Sequence, residues 1–275
     1  MNLLGRIFFL LIIVGGTMIS SCAEEKKEQK NGVEDFKQEL EDKRISDSIL
    51  IANIPKPDSN LITNNNVVDK LTKFGRENPE NKVRINTKYG SVEILLYDDT
   101  PLHRANFLML IKKNYFDSTL FYRIVNGFMI QGGNSDRDEV PLKMKEIGSY
   151  TIPDEILPHH SHKRGALAMA VSEQLDTPDE EKNKFSSPNN FYIVQNGPLS
   201  ENYLKNVIKK YKLDLSNSEK QLYRNKGGAP HLDGDYTVFG EVINGFEVID
   251  KIASFPTDKN ERPLVDITLS IEIIE

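Results

Sequence analysis

From Lys82 onward, apolar side chains recur at every second position in short runs, and each run stops at a turn signal. Val83, Ile85 and Thr87 alternate, Lys88-Tyr89-Gly90-Ser91 makes a turn, and Val92, Ile94 and Leu96 alternate again. A period of two puts one set of side chains on one face of a strand, so this pair reads as a β-hairpin. Further short strands are expected around Leu120–Val125, Phe128–Gln131, Gly165–Ala170, Phe191–Gln195 and Tyr236–Val242, with Val265, Ile267, Leu269 and Ile271 forming the last. Two stretches follow helical spacing instead. Thr100-Pro101 starts one helix, with the hydroxyl as N-cap and proline at the first helical position, and Ala105, Leu108, Met109 and Ile111 form its apolar face. The other is expected near Phe246–Ala253. Many short strands with two helices make a mainly β chain, a barrel capped at its ends.

The first 81 residues obey different rules. Arg6 gives a short positive region, and Ile7 to Val14 is an unbroken apolar run of signal-peptide length, too short to span a membrane. Ile19-Ser20-Ser21-Cys22 then resembles a bacterial lipobox, in which cleavage exposes the cysteine for acylation. Residues 1–21 are therefore expected to be a lipoprotein signal peptide and Cys22 the lipidated, palmitate-bearing residue. Cys22 is the one cysteine in the sequence, so no intramolecular disulfide or cysteine metal site can form. Several acyl chains on one residue anchor stably where a single chain does not. Residues 22–81 read as a tether: a charged, apolar-poor start, a short amphipathic helix within Val33–Ala52, then Pro55 and Pro57. The net charge of −6, with no Lys/Arg block, argues against a nucleic-acid partner.

The run Phe121-Tyr122-Arg123-Ile124-Val125-Asn126-Gly127-Phe128-Met129-Ile130-Gln131-Gly132-Gly133 sets an arginine before a Phe-Met pair and a glutamine and ends in a double glycine. Three later blocks accompany it: Gly165-Ala166-Leu167-Ala168-Met169-Ala170, Asn190-Phe191-Tyr192-Ile193-Val194 and His231-Leu232-Asp233-Gly234-Asp235-Tyr236-Thr237-Val238-Phe239-Gly240. In this order they resemble the core of the cyclophilin-type peptidyl-prolyl cis-trans isomerases over 82–275. The resemblance implies an eight-stranded antiparallel barrel with a helix closing each end. It also implies Arg123 as the catalytic residue and Phe128, Met129, Gln131, Ala170, Asn190, Tyr192, Leu232 and Tyr236 as substrate-binding residues. No cofactor is implied.

The chemistry suits those residue types. A prolyl bond turns slowly because amide resonance raises a barrier of about 18–20 kcal/mol. Catalysis needs neither nucleophile nor net proton transfer, only stabilisation of a twisted state whose imide nitrogen regains its lone pair. A guanidinium is always charged, planar and multidentate, and so suits that task. The proline ring needs an apolar slot, which methionine and aromatic walls provide.

Departures from the family pattern are local. Tyr122 stands where histidine is usual, Val171 replaces an asparagine and Asn190 a glutamine. His231 replaces a tryptophan that contacts the inhibitor cyclosporin, so weak inhibition is expected. Two insertions are expected, about 172–188 as an exposed loop and 199–225 as a helical hairpin or broken helix beside the pocket, which either selects substrates or is a decorative loop. His159-His160-Ser161-His162 offers three imidazoles, but neighbours in an extended segment point to opposite faces and no paired carboxylate is evident, so no metal site is expected. His103 reads as a partly exposed packing residue of the first helix. The reading is a monomeric, lipid-anchored prolyl isomerase of a bacterial envelope, periplasmic or surface-facing, acting on proline-containing segments of exported proteins. A non-catalytic peptide-binding or chaperone module on the same barrel is the alternative, and the intact Arg123 argues for the enzyme.

Overall fold

The computed structural model describes residues 60–172 and 185–275, together with Gln38, Glu41, Lys43 and Arg44. Two compact units divide the chain, Met1–Ser59 and Asn60–Glu275. In the first, the four described residues are helical and exposed. The signal segment expected over 1–21, Cys22, the remainder of the helix expected within Val33–Ala52, and most of the insertion expected over 172–188 lie outside the described residues.

The second unit is built on a closed barrel. Its strands are β2 (Lys82–Thr87), β3 (Gly90–Leu96), β4 (Thr119–Val125), β5 (Met129–Asn134), β7 (Ala166–Val171), β8 (Ser186–Val194), β9 (Val238–Asn244) and β10 (Thr268–Ile273). Around the barrel they run β10-β2-β3-β9-β7-β8-β5-β4, every pair antiparallel. This is the eight-stranded barrel expected from the sequence. The final strand closes it, pairing Ser270–Ile273 with β2 and Thr268 and Leu269 with β4. Val265 drops out of that strand and is exposed, because the chain joins the barrel only at Thr268.

A short parallel pair, β1 (Ile62–Thr63) with β6 (Gly148–Ser149), flanks the barrel. Among the described residues of this unit are six helices: α1 (Val67–Glu77), α2 (Pro101–Lys112), α3 (Glu139–Ile147), α4 (Glu201–Tyr211), α5 (Asn217–Lys226) and α6 (Phe246–Ala253). The capping pair expected from sequence is α2 and α6, both of which bury apolar faces in the main core. None of the described helices is long and apolar enough to cross a membrane.

Three local expectations change. The tether gives way to folded structure before residue 82: Val67 and Leu71 are buried in the main core, Phe74 packs against it, and α1 lies on α2. Val67, Leu71 and Phe74 fall on one helical face, but that face has no core of its own and is stable only where α2 covers it. Thr100 does not cap α2 with its hydroxyl. Glu155 does so from a distant loop, its two carboxylate oxygens accepting from the backbone N–H of Leu102 and of His103, both at 2.9 Å. A negative group satisfies orphan donors at the positive end of the helix and so competes well with a threonine hydroxyl. His103 is fully buried rather than partly exposed, with Nδ1 2.7 Å from Glu155 Oε2 and Nε2 2.9 Å from Ser186 Oγ.

The helical hairpin expected over 199–225 is α4 and α5. Ser200 accepts from Tyr203 N–H at 3.2 Å, Ser216 forms a capping box with Glu219, and Lys212 ends α4 in the left-handed region. Leu199, Leu204, Leu215 and Tyr223 give the hairpin a small core of its own.

Candidate functional site

The period of two does more than form strands: it sorts their side chains into two clusters. Ile130, Ile193, Leu167, Met169, Phe191 and Phe239 join the main core. Their immediate neighbours Met129, Val194, Ala166, Ala168, Tyr192 and Val238 point the other way and form a second cluster, against which Phe128, Leu232 and Tyr236 pack, half-buried. Side chains outside a closed barrel have no reason to be apolar unless something covers them. Here the cover is partial, and the outer face of β5, β7, β8 and β9 becomes an apolar floor.

A polar chain borders that floor. Arg123 on β4 pairs in register with Gln131 on β5, which pairs with Tyr192 on β8. Arg123 Nε and Nη2 both donate to Glu261 Oε2 at 2.7 Å, and Nη1 donates to Gln131 Oε1 at 3.3 Å. Gln131 Nε2 donates to the Tyr122 hydroxyl at 2.7 Å, and that hydroxyl donates to Asn190 Oδ1 at 3.3 Å. Asn190 in turn donates from Nδ2 to Ser187 Oγ at 3.1 Å. The guanidinium is thus held from two sides while 40% of the side chain stays exposed. Burial pushes the Tyr122 hydroxyl up to about 12, against smaller opposing effects of the Gln131 hydrogen bond and the Arg123 charge, so it remains a neutral donor. Tyr122, a departure at the sequence level, is a working member of the chain.

The double glycine that ends the run from Phe121 to Gly133 has a steric cause. Gly133 sits at φ 94, and a Cβ there would lie 1.9 Å from the Asn189 carbonyl oxygen. Only glycine lets β5 approach the Ser187–Asn190 segment this closely. The turn before β5 is tied as well: Gly127 N–H donates to Gln195 Oε1 at 2.9 Å and Gln195 N–H to the Phe128 carbonyl at 2.8 Å.

The walls are braced from behind. His162 Nε2 accepts from the Tyr192 hydroxyl at 3.0 Å, while its Nδ1 and its backbone N–H meet Asp233 Oδ1 at 2.9 and 2.8 Å. Tyr223 of α5 donates to the other oxygen of Asp233. Burial holds the Tyr192 hydroxyl well above the ordinary tyrosine range. Tyr236 meets Tyr192 edge-on at 5.9 Å between ring centres. On the far side His231 stacks on Phe128 at 5.4 Å, and Tyr211 of α4 stacks on His231 at 4.7 Å. Burial, with nearby His162 and Lys210, depresses the His231 pKa and keeps the ring neutral.

Of the sequence-predicted residues, Arg123, Gln131 and Asn190 fall in the polar chain, and Phe128, Met129, Tyr192, Leu232 and Tyr236 in the apolar floor and walls. Ala170 belongs to neither; it sits half-buried on β7 beside a register shift. Cys22 lies outside the described residues. Glu261, His162, Asp233 and Tyr211 escape sequence reasoning. Glu261 is 138 residues from Arg123 and adopts φ 64, held by its N–H to the Asp258 carbonyl and its carbonyl to Ile124 N–H. A non-glycine residue persists in that region only where its surroundings hold it. The histidine run divides. His162 braces the pocket, whereas His159 and His160 both reach Asp99, because a turn from Leu157 to His160 replaces the extended segment that would part them.

The antiparallel barrel thus carries an apolar cluster on its outer face, with half-buried Phe128, Leu232 and Tyr236 around it and a fixed guanidinium at the edge. Residues 82–272 match the family model described as cyclophilin type peptidyl-prolyl cis-trans isomerase/CLD. The peptidyl-prolyl cis-trans isomerase CYP18-1 of Arabidopsis thaliana is 31% identical over 190 residues, 68% of this chain and 92% of that protein. A Streptococcus pyogenes protein named as a bifunctional phosphatase/peptidyl-prolyl cis-trans isomerase is 31% identical over 217 residues, 76% of this chain but 43% of that longer protein. A crystal structure of a Cryptosporidium parvum cyclophilin type isomerase in the presence of the dipeptide Ala-Pro aligns with a TM-score of 0.48 at 25% identity, covering 70% of this chain and 99% of that one. The chain belongs to the cyclophilin-type peptidyl-prolyl cis-trans isomerase family.

Proposed function

We propose that this chain catalyses cis-trans isomerisation of prolyl bonds in segments of exported proteins, with Arg123 as the catalytic residue. The proline ring enters the slot of Phe128, Met129, Tyr192, Leu232 and Tyr236, and Gln131 and Asn190 offer polar contacts to the backbone on either side. As the bond twists, conjugation is lost and charge builds on the imide nitrogen. The Arg123 fork donates to that region, and the interaction grows as the twist proceeds, which is what lowers a barrier rather than merely tightening binding. The observation that carries this reading is the fixing of Arg123 by Glu261 and Gln131 at the rim of the outer apolar floor. No metal, proton relay or covalent intermediate enters the mechanism. A prolyl-peptide assay tests it: wild type should accelerate isomerisation, and equal rates for wild type and Arg123→Ala would leave only a peptide-binding module.

The site of action is part of the same proposal. Arg6, the apolar run 7–14 and Ile19-Ser20-Ser21-Cys22 support export followed by lipidation of Cys22, and the reading is of a monomeric isomerase domain held by that anchor at a bacterial envelope membrane. Labelling with a radioactive fatty acid checks this. Wild type should carry label and sediment with membranes, and label retained by Cys22→Ser would contradict it.

A further inference from the structure

Three side chains outside the isomerase site converge in a way that prolyl isomerisation does not use. Asp99 lies in the turn between β3 and α2, and His159 and His160 come from the turn closed by His160 N–H on the Leu157 carbonyl at 3.0 Å. His159 Nε2 is 2.8 Å from Asp99 Oδ2, and His160 Nε2 is 2.7 Å from Asp99 Oδ1. One ligating atom from each of the three residues lies within 4.8 Å of the other two. The His160 ring is stacked on Tyr97 at 4.1 Å and is 13% exposed, so its direction is set from behind. His159, 64% exposed, and Asp99 face solvent.

We propose that Asp99, His159 and His160 form a binding site for a divalent d-block cation, Zn²⁺ in the first instance. Two imidazoles and one carboxylate are a donor set for a borderline metal, whereas Mg²⁺ and Ca²⁺ take oxygen ligands. Zn–N and Zn–O bonds of about 2.0–2.2 Å around a tetrahedral ion put the ligating atoms roughly 3.3–3.6 Å apart. The observed separations need only a small outward shift of the exposed Asp99 and His159 side chains. Each imidazole then carries its proton on Nδ1 and offers the Nε2 lone pair, and the fourth position is open to water. Occupation would link the turn leading into α2 to the segment that continues into His162, the residue bracing Tyr192.

Calorimetric titration of the untagged full chain with zinc chloride tests the proposal. Wild type should bind one equivalent and melt at a higher temperature with zinc than without. His159→Ala and Asp99→Asn should each weaken binding at least tenfold and abolish the melting shift, while Cys22→Ser should bind as wild type does. Because His159 is exposed, its replacement leaves the core intact, and the zinc-free variant should match wild type in melting temperature and isomerase rate. Absence of saturable binding would overturn the proposal, as would binding unchanged in both site variants or lost only with Cys22→Ser.

Discussion

Glu261→Ala isolates what the ion pair with Arg123 does. The substitution removes both donations to Oε2, from Nε and from Nη2, each at 2.7 Å, and leaves Gln131 as the remaining described anchor at 3.3 Å. Both partners are about two-fifths exposed, so solvent screens the pair, and its contribution to stability should be within about 1 kcal/mol. That corresponds to a fall in melting temperature of about 2–4 °C. Catalysis should suffer more than folding. A guanidinium free to turn about its last torsions spends only part of its time facing the imide nitrogen, and misplacement on the order of 1 Å can cost up to about a hundredfold. We expect kcat/KM to fall about tenfold, equivalent to about 1.4 kcal/mol of transition-state stabilisation, with peptide affinity nearly unchanged. Glu261→Gln, which keeps an acceptor but no charge, should lie between the two. The assay is proline isomerisation in a short peptide at several concentrations, beside a thermal melt. A Glu261→Ala enzyme as fast as wild type would show that the guanidinium needs no anchor, and a faster one that Glu261 restrains its charge instead of aiming it.

Other consequences concern the remaining walls and supports. Tyr122→Phe removes the hydroxyl that links Gln131 to Asn190 and should lower kcat/KM about threefold to tenfold. In wild type the rate should be flat from pH 7 to 9, since a guanidinium is always charged, burial holds the Tyr122 hydroxyl up at about 12 and His231 is already neutral; a Tyr122-dependent inflection in that range would contradict this. The depressed His231 pKa makes its stability contribution complete above about pH 6.5. That contribution declines as pH falls from there through the folded value, because the unfolded chain takes up the proton first. Tyr211→Ala strips the outer ring from the stack on His231 and should raise KM for peptides with a bulky residue next to proline while sparing kcat; uniform changes across peptides would remove α4 from the specificity surface. Cyclosporin should inhibit weakly with His231 in that stack, and a nanomolar inhibition constant would refute the expectation. Glu155→Ala uncaps α2 and takes the partner from Nδ1 of the buried His103, which should cost about 2 kcal/mol and lower the melting temperature by about 4–8 °C.

The barrel was legible in the sequence because a strand's period of two survives without any tertiary knowledge: Val83, Ile85, Val92, Ile94 and Leu96 declare an inner face by themselves. That alternation did not separate the barrel's inner core from the outer floor, since Met129 and Val194 are as apolar as Ile130 and Ile193. Only the order of the four blocks, read as a family resemblance, marked the outer set as a pocket. What stayed hidden depends on contacts between distant segments. Glu155 at the start of α2, Glu261 on Arg123 and Asp99 between two histidines are each acidic residues in loops, and nothing local distinguishes them from solvated surface charge. The α1 helix was missed because its short apolar face has meaning only against α2, and His103 because its partners, Glu155 and Ser186, lie 52 and 83 residues away. The helical hairpin beside the pocket was legible because apolar spacing is a local signal, but the contacts that seat it there, Tyr211 on His231 and Tyr223 on Asp233, were not.

The claim that Arg123 acts on the twisting bond, beyond holding peptide in place, is tested most directly by magnetisation-exchange NMR on a proline peptide bound to wild type and to Arg123→Ala. That measurement separates the cis-trans rate on the protein from the affinity. Affinities should lie within a few-fold of each other, with an on-protein rate at least about a hundredfold lower in the variant, equivalent to about 2.7 kcal/mol of transition-state stabilisation. Equal rates at equal occupancy would contradict it, and would leave the barrel's outer floor as a site that binds proline without turning it.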